Sequence, residues 1–254
     1  MFADYSWSEL GSIFAMQGFA GLVLFSVLVL MALGLAIIFG QMGVINMAHG
    51  EFMILGAYVT YLVAGFFEAF LPALVPISFF VAVVLAFFAS GALGVAVEMS
   101  LIRFLYKRPL DTLLATWGLS LILQQTYRTI FGAREVGVTL PSWMMGSLPL
   151  TDIIEIPING LIVMAITLLI TLGVYLVMFR SRLGAQTRAV VQNRTMAGAV
   201  GIDTEKVDRL TFGLGCGIAG IAGSAFTMIG STGPSAGQLY IVDTFLVVVF
   251  GGAA

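Results

Sequence analysis

Three polar side chains, Asn46, His49 and Glu51, interrupt an otherwise largely apolar stretch at 40–58, GQMGVINMAHGEFMILGAY. An ionisable group inside or against a bilayer is costly and marks a functional site by default. The stretch holds no Lys or Arg, and it has glycines at Gly40, Gly43 and Gly50. Irregular backbone at membrane depth persists only where protein or a water-filled cavity surrounds it. The segment is therefore read as a break between two helices that lines a path for a solute, with Asn46, His49 and Glu51 as its polar lining or gate. A plainer reading stands beside it. Glu51 caps its own helix at the interface, where an acid near a helix N-terminus is favourable, and Asn46 satisfies backbone at the break. One His and one Glu, without a nucleophile or further ligands, make no recognisable catalytic site.

A second constellation follows at Thr112, Thr116, Ser120, Gln124 and Arg128, one polar residue every four positions. That spacing places them on one slowly drifting face of a helix. Such a stripe must face protein or water rather than lipid. It forms either one wall of a pathway for a small polar solute or a row of interhelical hydrogen bonds, each contributing about 0.6 kcal/mol. Trp117 and Gln125 flank it. A third constellation lies at 183–210. Here 189–199 is expected to form one short helix ended by Gly201, with Val190, Asn193, Arg194 and Ala197 on one face. Ala197, Gly198 and Ala199 give it a small-residue surface. That surface suits docking into a groove on a soluble partner, or belongs to an ordinary interfacial helix.

The elements that position these residues follow from composition. The chain is 60% hydrophobic and only 9% charged, with a mean hydropathy of +1.07. Soluble domains carry about 25% charged residues, so the solvent around this fold is lipid. A net charge of -2 gives no sign of nucleic acid. The single cysteine, Cys216, excludes an internal disulfide, and with one histidine it leaves no Cys/His metal cluster. Asp4 and Glu9 precede the first apolar run without any Lys or Arg, so the basic start of a signal peptide is missing.

Spans of about 20 apolar residues are expected at 18–39, 51–67, from a turn at 71–76 to 97, 112–128 with Asp111 as N-cap, 157–179 with Pro157 at its start, and 210–230. The 130–156 stretch, with Pro141, Pro149, Asp152 and Glu155, reads as an external segment holding a short interfacial helix. After a Gly/Ser/Pro-rich turn at 231–238, the last apolar element is expected to be re-entrant or cut off, with the C-terminal end truncated. The glycines of the sixth span, among them Gly213, Gly217, Gly220 and Gly223, are read as close-approach positions between helices. The fold expected is all-α: one polytopic membrane helix bundle over 1–254, broken near 40–50. Nine of the eleven basic residues lie at 103–108 and 180–209. By the rule that Lys and Arg concentrate in cytoplasmic loops, both segments face the cytoplasm and the acidic N-terminus lies outside.

Taken together, GLAIIFGQMGVINMAHGEFMILGAY at 34–58 and RLGAQTRAVVQNRTMAGAVGI at 182–202, with the glycine-rich span that follows, resemble the permease subunit of ATP-binding-cassette importers of the branched-chain amino-acid type. RPLDTLLATWGLSLILQQ at 108–125, Arg128 and FGA at 131–133 look more like its urea-transporting branch. The resemblance implies a second homologous permease subunit, two cytoplasmic ATPases that hold ATP and Mg, and a substrate-binding protein outside the inner membrane. It also implies that Ala189, Asn193, Met196, Ala197 and Gly201 belong to the helix that couples to the ATPase. No GxxxxGK[ST] motif occurs, so nucleotide is expected on a partner and no cofactor on this chain. The chain itself is expected not to be an enzyme. Urea or a similar small amide is the expected substrate, moving past Asn46, His49, Glu51, Thr116, Ser120 and Gln124. A branched-chain or other amino acid is the alternative; a passive channel or an intramembrane enzyme are the rivals from other classes.

Overall fold

The structure, a computed structural model, describes residues 7–106, 108–151 and 154–252. Asp4, Lys107, Asp152 and the end at Ala254 lie outside the described residues, as does the side chain of Glu9. Nine helices and one small hairpin make up the described residues: α1 Trp7–Met42, α2 His49–Phe70, α3 Val75–Ser100, α4 Pro109–Phe131, β1 Ser147–Thr151, β2 Ile154–Pro157, α5 Ile158–Arg180, α6 Arg182–Gln192, α7 Arg194–Ala199, α8 Thr204–Phe226 and α9 Ala236–Phe250. Among the described residues, five segments are long and apolar enough to cross a membrane: Leu10–Met42, His49–Phe70, Pro72–Phe104, Ile158–Arg180 and Thr204–Phe226. α4 has the length, but its polar stripe keeps it outside that set. α9, with 15 residues, is short. The chain is a polytopic, nearly all-helical bundle.

α8 is the hub. Its most apolar window is 83% buried, against 11% for α5, so α8 sits inside a ring of helices while α5 lines the periphery. α1, α2 and α3 pack on it, and its glycines make this possible. A Cβ on Gly56 of α2 would stand 2.1 Å from the Gly220 carbonyl oxygen of α8. With hydrogens there instead, the backbones meet directly, as small residues allow between membrane helices. At the same level Thr60 donates to Ser224 Oγ at 2.8 Å, and Ser90 of α3 donates to the Phe52 carbonyl at 3.0 Å.

Four expectations are corrected. α4 starts at Pro109 with Arg108 as its N-cap residue, and no side chain caps it. Proline needs no hydrogen-bond partner in a first turn, so the helix begins before Asp111, which instead pairs with Arg108 at 3.5 Å. Among the described residues, the 130–156 stretch carries no α-helix between α4 and α5. It holds a single 3-10 turn, Ser142–Met144, and the β1–β2 hairpin, with Leu148 opposite Ile156 and Pro149 opposite Glu155. Alternating apolar and other residues in SLPLT and IEIP have the period of a strand, which the expectation of a helix overlooks. The arm forms two helices, α6 and α7, not one. The chain breaks at Asn193, whose Oδ1 accepts the Met196 N–H at 2.9 Å and so caps α7. Val190 and Arg194 therefore do not share a helical face. Finally, α8 starts at Thr204, earlier than 210, because Asp203 caps it by accepting the Lys206 N–H at 3.0 Å.

Candidate functional site

The backbone is non-helical from 43 to 48, where Gly43 takes a φ of +62°, open to glycine and rarely to other residues. After this break α2 starts deep in the bundle. His49, its first residue, has Nε2 3.3 Å from the Met31 carbonyl, and Met31 lies roughly three helical turns before the end of α1 at Met42. The chain thus leaves α1 at one end, re-enters as irregular backbone and turns helical about three turns inside. Facing a carbonyl, Nε2 carries the hydrogen. This leaves Nδ1 bare, and it has no partner among the described residues. Asn46 Oδ1 accepts the Ala48 N–H at 3.1 Å, while Asn46 Nδ2 is buried without a partner among the described residues.

Glu51 is buried against α4. Its Oε1 accepts from Ser120 Oγ at 3.0 Å and from Gln124 Nε2 at 2.9 Å, and the Tyr127 hydroxyl donates to its carbonyl at 3.0 Å. Oε2 is buried with no partner among the described residues. Thr116 closes the same seam. Its Oγ1 accepts the Met47 N–H at 3.1 Å and faces the Ile45 carbonyl at 3.3 Å. The structure therefore brings Glu51, Thr116, Ser120 and Gln124 together with the backbone of the break at the junction of α2 and α4, while the Asn46 side chain bonds within the break and the His49 ring faces α1. The stripe ends differently from the four-residue spacing: Arg128 is exposed, and Tyr127, three positions after Gln124, takes the buried place. Within the stripe, Thr116, Ser120 and Gln124 bond to the break and to α2, whereas Thr112 bonds to the Leu105 and Arg108 carbonyls.

A second seam lies on the other side of α2. A Cβ on Gly50 would stand 2.2 Å from the Gly237 carbonyl oxygen, so the first turns of α2 and α9 touch. From there α9 runs beside the second half of α1, with Ile241 and Val248 packed with Ala32 and Leu35, and Phe39 meeting Phe245 edge to face at 6.3 Å. Two helix N-termini, where backbone dipoles favour negative charge, thus meet inside the bundle. A cavity of about 750 Å³ reaches the first turns of α9, with Phe19, Val23, Phe226 and Leu239 as apolar wall and Glu135 and Glu155 among its acids. It lies at the end of the bundle that carries the hairpin.

The two basic segments meet at the opposite end, as the charge pattern requires. Arg194 of the arm lies over the Tyr106 ring, 5.3 Å from its centroid. It also pairs with Asp208 of α8 at 2.5 Å. Tyr106 donates to Glu98 Oε1 at 2.5 Å and Gln41 donates to Asp208 Oδ1 at 3.2 Å. Burial, then the bond to Glu98, push the Tyr106 hydroxyl up, so it stays protonated and donates. Sequence reasoning passed over Glu98 and Asp208, although the rule applied to Glu51 marks any acid beside an apolar run.

On the arm, Ala197 is corrected as a docking residue. It is buried with Val190 and Val207 in a small core of its own. The exposed apolar face carries Met196 and Val200 instead, with Gly201 beside them at φ +89°. Ala189 is half-buried against that core and Asn193 serves as the cap of α7.

Residues 18–254 match the family described as branched-chain amino acid transport system / permease component. The chain is 30% identical over 254 residues to the high-affinity branched-chain amino acid transport system permease protein LivH of Escherichia coli K12, covering 94% of this chain and 79% of that protein. It is 28% identical over 241 residues to the permease protein BraD of Pseudomonas aeruginosa, named for the same kind of system, covering 91% and 77%. To the probable branched-chain amino acid transport permease protein LivH of Methanocaldococcus jannaschii it is 26% identical over 252 residues, covering 96% and 75%. No solved structure is significantly similar to it. With its multi-pass bundle and its re-entrant break, the chain belongs to the branched-chain amino acid transport system permease family.

Proposed function

We propose that this chain is the membrane-spanning subunit of an ATP-driven importer in the inner membrane, and that it carries an aliphatic amino acid of the branched-chain class. It works with a second homologous permease, two ATPases that bind and hydrolyse ATP, and a binding protein outside. The observation that carries the reading is the 43–48 break. Non-helical backbone this far inside a lipid-embedded bundle is tolerated where it lines a path, and unwound segments flanked by helix N-termini near mid-depth are a recurrent transporter device. The path runs from the cavity at the hairpin end to the Gly50–Gly237 contact, which closes it, and past Asn46, His49 and Glu51 towards the arm. Closure of the ATPases displaces the arm, and the spans re-pack to open the other side.

The substrate class rests on the names of the relatives and on the cavity. Its apolar wall suits an aliphatic side chain, and transfer of such a side chain from water contributes about 1.5–3 kcal/mol. Urea, or a similar small amide, is the second reading. It is favoured by Ser120 and Gln124, whose hydroxyl and carboxamide suit a neutral ligand that both donates and accepts. Both groups already bond to Glu51 here, which favours the amino acid. Uptake of labelled leucine and labelled urea into proteoliposomes holding the complete transporter tests the choice. Leucine uptake that requires ATP and the binding protein is expected. Urea uptake that excess leucine leaves unchanged would overturn the substrate, and flux without ATP would overturn the class.

A further inference from the structure

At the end of the bundle that carries both basic segments, five side chains from five parts of the chain meet. Arg194 is the first residue of α7. It reaches Asp208 Oδ2 at 2.5 Å and covers the Tyr106 ring. Tyr106, in the loop before α4, donates to Glu98 near the end of α3. Gln41, at the end of α1, donates to the other oxygen of Asp208 on α8. Asp208 and Glu98 are each only 1% exposed; the Arg194 guanidinium pairs with Asp208, and the Tyr106 hydroxyl beneath it serves Glu98. A buried charge stripped of its partner is strongly destabilising, so the partner must stay or the surroundings must move. Arg suits this because its rigid fork can hold a carboxylate while its plane stacks on an aromatic ring.

We propose that this cluster is the joint through which displacement of the cytoplasmic arm is passed to α1, α3 and α8. The inference rests on the reading that the arm receives an ATPase. The joint has three ties. Arg194 holds α7 to α8, Tyr106 extends the hold to α3, and Gln41 fixes the end of α1 that leads into the 43–48 break. When α7 moves, Asp208 cannot be left unpaired, so α8 moves with it, and α8 carries the glycines on which α1, α2 and α3 pack. Arg194, Tyr106 and Asp208 act here as positioning residues and touch no substrate.

The test uses the complete reconstituted transporter and reads substrate moved per ATP hydrolysed. Tyr106→Phe keeps the ring under Arg194 and removes only the tie to Glu98. Arg194→Lys keeps the charge and loses the fork. Both are expected to retain the ATPases on purification and to hydrolyse ATP at the wild-type rate, while substrate moved per ATP falls about fivefold or more. Wild-type stoichiometry in both variants overturns the joint while leaving the arm as the docking element. A wild-type chain that retains no ATPase overturns the docking reading and the joint with it. Should Arg194→Lys fail to assemble, Tyr106→Phe alone decides, because its core ring is unchanged.

Discussion

A carboxylate removed from water costs several kcal/mol unless its oxygens find donors, and Glu51 shows how this chain meets that demand. Ser120 and Gln124 both serve Oε1, and Tyr127 holds the backbone beside it. Oε2 has no such donor among the described residues. Gln124→Leu removes the closer of the two bonds to a buried acceptor, at a cost of about 1–3 kcal/mol. The expected outcome is a lower melting temperature in detergent, with uptake falling in step. Unchanged stability with lost uptake would assign Gln124 to the substrate instead. Single residues were legible where spacing carried them. Thr116, Ser120 and Gln124 follow from a four-residue repeat, and Glu51 from its cost. Tyr127 was not legible, because a helix turns 3.6 residues at a time and the repeat pointed on to the exposed Arg128. Ala197 misled because small residues pack inward as readily as outward.

At the scale of elements, α8 is held by contacts that only glycine permits. Gly56→Ala would set a methyl group against the Gly220 carbonyl oxygen, and that obstacle is backbone, unable to swing aside. Overpacking of this kind costs about 1–3 kcal/mol, and the substitution is expected to lower the melting temperature accordingly. Gly65, on the same helix, has open space where a Cβ would stand, with no atom within 4 Å. Gly65→Ala is therefore expected to be neutral or slightly stabilising, since alanine is the better helix former by about 1 kcal/mol. Equal melting temperatures for the two variants would contradict the packing described. The spans were legible because each is a long run of one chemistry, and the break because glycines and polar residues interrupt such a run. The β1–β2 hairpin and the division of the arm were not. The hairpin is fixed by a few alternating residues, and the division by one asparagine side chain that caps α7 instead of continuing α6.

For the whole molecule, orientation and docking are one question. Both basic segments lie at the same end, joined through Arg194 and Tyr106, and the exposed apolar face of α7 lies there with Met196 and Val200. The most direct measurement uses the chain's only cysteine. Cys216 is fully buried in α8, so Cys216→Ala with Val200→Cys gives one accessible thiol. A membrane-impermeant maleimide is expected to label it from the cytoplasmic side alone, with labelling lost when the ATPases are bound. Labelling from the outside, or labelling that bound ATPase leaves unchanged, would contradict the claim that this arm receives the energy of a partner's ATP hydrolysis.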